Sequence, residues 1–264
     1  MSTDHSLPAA ILAIDILLSF PAIYNIFKHG LRHGAILGWA YFFIFLTLRI
    51  VSSALQLSDS KSSTASLVAS IGLSPLLLAT LGLVHESRSY VFDNLNRKTE
   101  GIWVLVLHIL ITGAVALTAA GASGMSKPDI TDAVRTRDKR LVTVGMVALL
   151  VSWILVTLVA ATSFVARPRA NAGNPDIKQG NRLLYAVLFA IPFLGIRILV
   201  SLVYFATMNQ DLSPVTGKMG YKVGLGFIEE LLISIAFVAA GIMTRNIGKS
   251  RTQKVSTQEA AWGR

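Results

Sequence analysis

The chain has 264 residues, 53% of them hydrophobic and only 14% charged, with a mean hydropathy of +0.61 and a formal net charge of +10. Apolar runs that reach or approach bilayer length exclude an ordinary soluble domain and predict an all-α, polytopic membrane protein. No cysteine is present, which rules out disulfides and thiolate metal sites. The basic residues sit in short loops and the tail, where membrane topology places them, so the positive charge does not indicate nucleic acid as a partner.

Seven transmembrane helices are expected in chain order. The start, Met1 to Leu7, has no Lys or Arg, the wrong n-region for a cleaved signal peptide, so the first apolar run is expected to stay as a helix. That span covers about residues 8–27 and carries Asp15, with Pro21 expected to kink it. A tight basic loop with His29 and His33 leads to the second span, about 35–57, which contains Arg49. His29 and His33, four residues apart, either belong to a plain positive-inside loop or share a phosphate or headgroup with Lys28 and Arg32. The third span, about 65–84, is broken by Ser74-Pro75, and a loop is expected over 85–100. The fourth, about 101–122, includes His108, read as a packed or hydrogen-bonded residue. The longest loop is placed at 123–140, the fifth span at about 141–166, and an irregular Asn/Gly/Pro-rich loop at 167–182. The sixth span, about 183–206, contains Pro192 and Arg197, and the seventh, about 221–244, contains Glu229 and Glu230. Residues 1–244 thus form one transmembrane domain, followed by a basic, disordered cytosolic tail at 245–264. Trp39, Trp103 and Trp153 read as membrane anchors near span ends or on lipid faces.

Orientation follows from the positive charge. Loops one, three and five and the tail hold 14 Lys and Arg, against seven in the N-terminus and the other loops. The N-terminus is therefore expected on the lumenal side and the C-terminus in the cytosol. Five of nine positions agree between the segment Phe45 to Ser53 and the segment Phe193 to Ser201, Arg included. That echo fits a 3+1+3 plan of two parallel three-helix units.

Carboxylates in hydrocarbon are costly, about 2.5–3.5 kcal/mol each on insertion scales, and are functional by default. At 1.5 Å per residue, Asp15 falls about 10 Å from the lumenal end, Arg49 and Glu229 about 12 Å, and Arg197 and Glu230 about 14 Å. Three acids would then face two bases at one depth. If two carboxylates satisfy the two arginines, one desolvated acid is left over and can donate a proton. Gln56 and Tyr204, seven residues after the respective arginines, share their helical faces and are candidates for substrate binding or charge pairing. The alternative is a purely structural Arg–carboxylate clamp. No His or Cys partner at metal spacing accompanies His108, so neither a metal nor a cofactor is expected. A retinal-type Schiff base is excluded, because the only lysine of the seventh span, Lys222, lies at its edge.

The segment Ile71-Gly-Leu-Ser-Pro-Leu-Leu-Leu-Ala-Thr-Leu-Gly-Leu83 resembles the third-helix signature of a large family of fungal seven-helix integral membrane proteins of unknown function. Gly38-Trp39 followed by Phe45 and Arg49, Pro192-Phe193 with Arg197, and the Glu229-Glu230 pair are similar to that family as well. The resemblance covers about residues 8–244 and implies a fold and a fungal setting, with no assigned residue roles. A looser likeness, in architecture alone, is to the membrane-bound cyclases of fungal meroterpenoid pathways.

The expected function is a membrane-embedded acid–base enzyme of cyclase, isomerase or epoxide-hydrolase type, acting on a lipophilic polyketide or isoprenoid intermediate of secondary metabolism. Glu229 or Glu230 would be the general acid and Asp15 a second carboxylate. The expected partners are the bilayer, a lipophilic small molecule and other pathway enzymes, and the endoplasmic reticulum is favoured over the plasma membrane. A transporter of a small lipophilic metabolite and a seven-helix receptor are the alternatives.

Overall fold

The computed structural model describes residues 5–30, 35–59, 62–92, 95–125, 131–167, 174–213 and 217–247. Among them the protein is all-helical: α1 (Ser6–His29), α2 (Ala35–Ser58), α3 (Ser63–Ile71), α4 (Leu73–Val91), α5 (Arg97–Met125), α6 (Asp132–Ala166), α7 (Pro175–Thr207), α8 (Met219–Lys222) and α9 (Ile228–Met243). A π-helical segment, Val223–Phe227, joins α8 to α9 without a break. Six of these stretches are long and apolar enough to cross a membrane, which fits an integral membrane protein: α1, Ile36–Ser58, α5, α6, α7 and Met219–Met243.

The third predicted span differs in an informative way. It is two helices, α3 and α4, meeting at Gly72, and α4 runs to Val91 rather than ending near residue 84. Sixteen of the nineteen residues of α4 are buried, although its second half carries His85, Glu86, Ser87, Arg88 and Ser89. A helix enclosed by other helices does not have to suit lipid. Its polar groups need only be met by neighbours, so its hydropathy falls below that of a lipid-facing span. Three expected loops also shrink. Residues 85–91, 132–140 and 175–182 are helical, and the last start is set by Asn174, whose side chain accepts from the Asp176 amide ahead of Pro175 in the first turn.

α4 packs between α2 and α7, α9 rests on α7 and α1, and α1 returns to α2, which closes a ring of five helices. The α5–α6 hairpin covers α4 and α7 from one side. At the α2–α4 crossing a Cβ on Gly38 would lie 3.0 Å from the Gly82 carbonyl carbon, and a Cβ on Gly82 would collide with the Gly38 backbone. Small residues let two backbones touch in this way. A Gly82→Val substitution is expected to cost at least about 1–3 kcal/mol. The check is the denaturation midpoint and monodispersity in detergent, with Gly113→Val, where no neighbour lies within 4 Å, as control.

Pro21 lies inside α1, which is one helix from Ser6 to His29. Trp103, 56% exposed, agrees with the expected anchor role. Trp39 does not: it is fully buried. Trp153 is half-buried over Gly195 and donates to the Ile191 carbonyl, so it secures α6 on α7. His33 and residues 248–264 of the expected tail lie outside the described residues.

Candidate functional site

Asp15, Arg49, Arg197, Glu229 and Glu230 come from α1, α2, α7 and α9, and each is no more than 8% exposed. The ring of helices brings them together toward the end of the bundle at which α1 starts. Glu230 is the hub. Its Oε1 accepts from Arg197 Nε at 2.8 Å, and its Oε2 pairs with Arg49 Nε at 2.9 Å. Asp15 Oδ2 stands 3.9 Å from the same Arg49 Nε, at the outer limit of an ion pair. The Ser234 hydroxyl donates to the Glu230 carbonyl and the Ser19 hydroxyl to the Asp15 carbonyl, each four residues back on its own helix.

One carboxylate therefore takes both arginines, and Glu229 is the acid left over. Its Oε2 is buried with no hydrogen-bond partner, and it makes no ion pair among the described residues. About 100° separates it from Glu230 around α9. That angle turns Glu229 away from the side of α9 on which Glu230 meets both arginines. The π segment just before α9 contributes to this placement. One extra residue in a helical turn rotates everything after it by about 100° relative to an unbroken α-helix.

The other two predicted site residues part company. Gln56 donates to the Ser52 hydroxyl and helps line a cavity of about 30 Å³, beside Arg49, Arg197 and the π segment. That space holds one or two water molecules. Tyr204 is not among the residues that line it; its ring packs on Phe205 of the same helix, 4.8 Å between centroids. Seven residues on a helix is 700°, twenty degrees short of two turns, so the shared face was sound.

A second buried cluster lies at the opposite end, and sequence reading missed it. Glu86 of α4, fully buried, accepts from Trp39 Nε1 at 2.9 Å and faces His29 Nδ1 at 2.6 Å. His29 Nε2 lies 3.0 Å from the Gly241 carbonyl of α9. Both ring nitrogens thus face acceptors, the pattern an imidazolium satisfies. His29 is consequently no headgroup ligand, and Trp39 is no anchor. The available signal was Glu86 two residues past an apolar run, overlooked because a polar stretch after such a run reads as a loop. Beside it, Arg88 holds Glu100 of α5 through Nε at 2.7 Å and Nη2 at 3.0 Å. His108 accepts or donates a hydrogen bond with Tyr41 at 3.1 Å, in keeping with a satisfied polar residue.

A family model described as "Domain of unknown function (DUF7702)" matches residues 1–247. The chain belongs to that family. No curated protein and no solved structure matches it. All five members of the intramembrane cluster and all of the Glu86 cluster fall within the matched DUF7702 region.

Proposed function

We propose that this protein is a membrane-embedded acid–base enzyme acting on a lipophilic small molecule, with Glu229 as the proton donor. The observation that carries the reading is the division of labour between adjacent acids: Glu230 ion-pairs with both arginines, and Glu229 ion-pairs with neither among the described residues. A desolvated carboxyl group held in fixed position beside an apolar seam suits proton transfer to an epoxide, alkene or carbonyl. Because the cavity at the arginines admits only water-sized groups, the reacting part of a larger substrate reaches Glu229 from the bilayer, along the seam between α7 and α9. Asp15, at the far side of Arg49, is the second carboxylate and takes up or relays the proton. The fungal setting and the cyclase likeness rest on the sequence resemblance, and the secondary-metabolite substrate and the endoplasmic reticulum location follow from the enzyme reading.

Glu229→Gln is expected to abolish turnover while leaving folding intact, since it removes a proton and no ion pair. The test is metabolite profiling of a deletion strain beside one expressing Glu229→Gln at wild-type level. Both should accumulate the same unprocessed precursor. A finished product in the Glu229→Gln strain overturns the assignment.

A second reading, proton-linked transport of a lipophilic metabolite, is favoured by a different observation. Two buried ionic clusters bracket the same helices, α1, α2 and α9, and Asp15 and His29 are separated by about 21 Å of helix rise. Paired clusters at opposite ends are what alternating access uses as gates. Product made but retained inside the cells would select this reading over the enzyme.

A further inference from the structure

The two arginines leave a good part of their donor capacity unspent. A guanidinium offers five N–H groups in a planar fork. Arg49 and Arg197 engage Glu230 through Nε alone, and among the described residues none of their Nη nitrogens makes a hydrogen bond. Both side chains line the cavity of about 30 Å³, and Gln56 sits beside them. Buried cationic donors facing a cavity require an acceptor, either water or the head of a ligand. Its remaining walls mix apolar residues, among them Ile11, Val200 and Phe227, with Ser213, Tyr221 and Lys222.

We infer that this cavity binds the carboxylate head of a lipophilic organic acid, with the head on the Nη edges of Arg49 and Arg197 and the tail outside the cavity, in the bilayer. Size decides between anions. Room for one or two waters matches the two oxygens of a carboxylate and is too small for the four of a phosphate. The planar fork also suits a planar, two-oxygen acceptor. The inference deepens the acid–base reading by naming a substrate class, and it rests on that reading only in treating the bound acid as the molecule acted on.

Charge balance makes the binding proton-linked. The ionisable groups facing the cavity and its neighbours are Asp15 from α1, Arg49 from α2, Arg197 from α7, Tyr221 and Lys222 from α8, and Glu229 and Glu230 from α9. Glu230 is committed to both arginines, so the protons taken up when a further carboxylate enters go to Glu229 and Asp15. Binding is therefore tighter in mildly acidic than in mildly alkaline buffer.

The test is calorimetric titration of the full-length protein in nanodiscs with octanoate, and with octanol and inorganic phosphate as comparison probes. Octanoate is expected to bind with proton uptake, measured from two buffers of different ionisation enthalpy, and octanol and phosphate to bind at least about tenfold more weakly. Arg49→Gln and Arg197→Gln should each weaken octanoate about tenfold or more. Because those variants disturb a buried network, Val200→Phe, which fills the cavity and leaves every charge in place, supplies a second check and should block octanoate. Glu229→Gln should bind octanoate at least as tightly as wild type, with less proton uptake. Octanol binding as well as octanoate, phosphate outcompeting it, or octanoate bound equally by wild type and Val200→Phe each overturn the inference. If wild type ignores octanoate while Glu229→Gln still loses turnover in cells, this inference falls and the enzyme reading stands. Octanoate binding with no precursor accumulated in the Glu229→Gln strain has the opposite meaning.

Discussion

Replacing Glu230 by alanine lowers the stability of the detergent-solubilised protein by about 3–5 kcal/mol, the usual cost of stripping one partner from a buried ion pair. Here the loss falls on two cations at once, since Glu230 Oε1 holds Arg197 and Oε2 holds Arg49. Asp15, 3.9 Å from Arg49, is badly placed to take over, and Arg197 has only Glu229 to turn to. Glu229→Ala should behave differently, within about 1 kcal/mol of wild type, because it removes a desolvated carboxyl that pairs with nothing. Chemical denaturation of the two variants side by side provides the measurement. Equal losses would mean that the two acids share the arginines and that Glu229 is not the spare. The combined variant Arg49→Met, Arg197→Met, Glu230→Leu tests the alternative of a pure clamp. Buried ion networks replaced by apolar groups of similar volume are often no less stable, so this variant should recover most of the loss. If it also keeps full activity in cells, the cluster serves structure alone.

Glu86→Leu is the second substitution with a large expected effect, again about 3–5 kcal/mol. It orphans two buried donors together, the Trp39 indole N–H and His29 Nδ1, on two different helices. Glu86→Gln should cost about 1–3 kcal/mol, because an amide oxygen still accepts one hydrogen bond and the lost charge is partly met by deprotonating His29. The order Leu, then Gln, then wild type in melting temperature is the outcome to look for. A Glu86→Leu protein as stable as wild type would mean that the His29–Glu86–Trp39 contacts do not hold α1, α2 and α4 together. The Gly241 carbonyl, which faces His29 Nε2, ties α9 into the same group, so loosening here should also raise proteolytic access at the C-terminal turn.

Much of this protein was legible from composition and pattern. Runs of about 20 apolar residues leave a chain with few options but membrane-spanning helices, because every backbone polar group in lipid must be satisfied within its own helix. Acids and arginines deep in such runs have to find one another, so rise per residue sufficed to put Asp15, Arg49, Arg197 and Glu230 at one depth. What depth does not contain is azimuth and partner choice. That Glu230 would take both arginines depends on how α9 is rotated against α2 and α7, which the π segment and the helix crossings decide.

The same limit explains α4. Hydropathy measures fitness for lipid, and a helix surrounded by protein on all sides answers to its neighbours instead. The polar residues after Val84 looked like the start of a loop, yet Glu86 meets His29 and Trp39, Ser87 meets the Gly180 carbonyl, and Arg88 meets Glu100. The sequence alone therefore determined that the chain crosses a membrane as helices and that its buried charges share a level. Which helix is central, which acid is spare, and that a second charged cluster closes the other end were decided by tertiary packing, because pairing energies depend on distances between segments far apart in the chain.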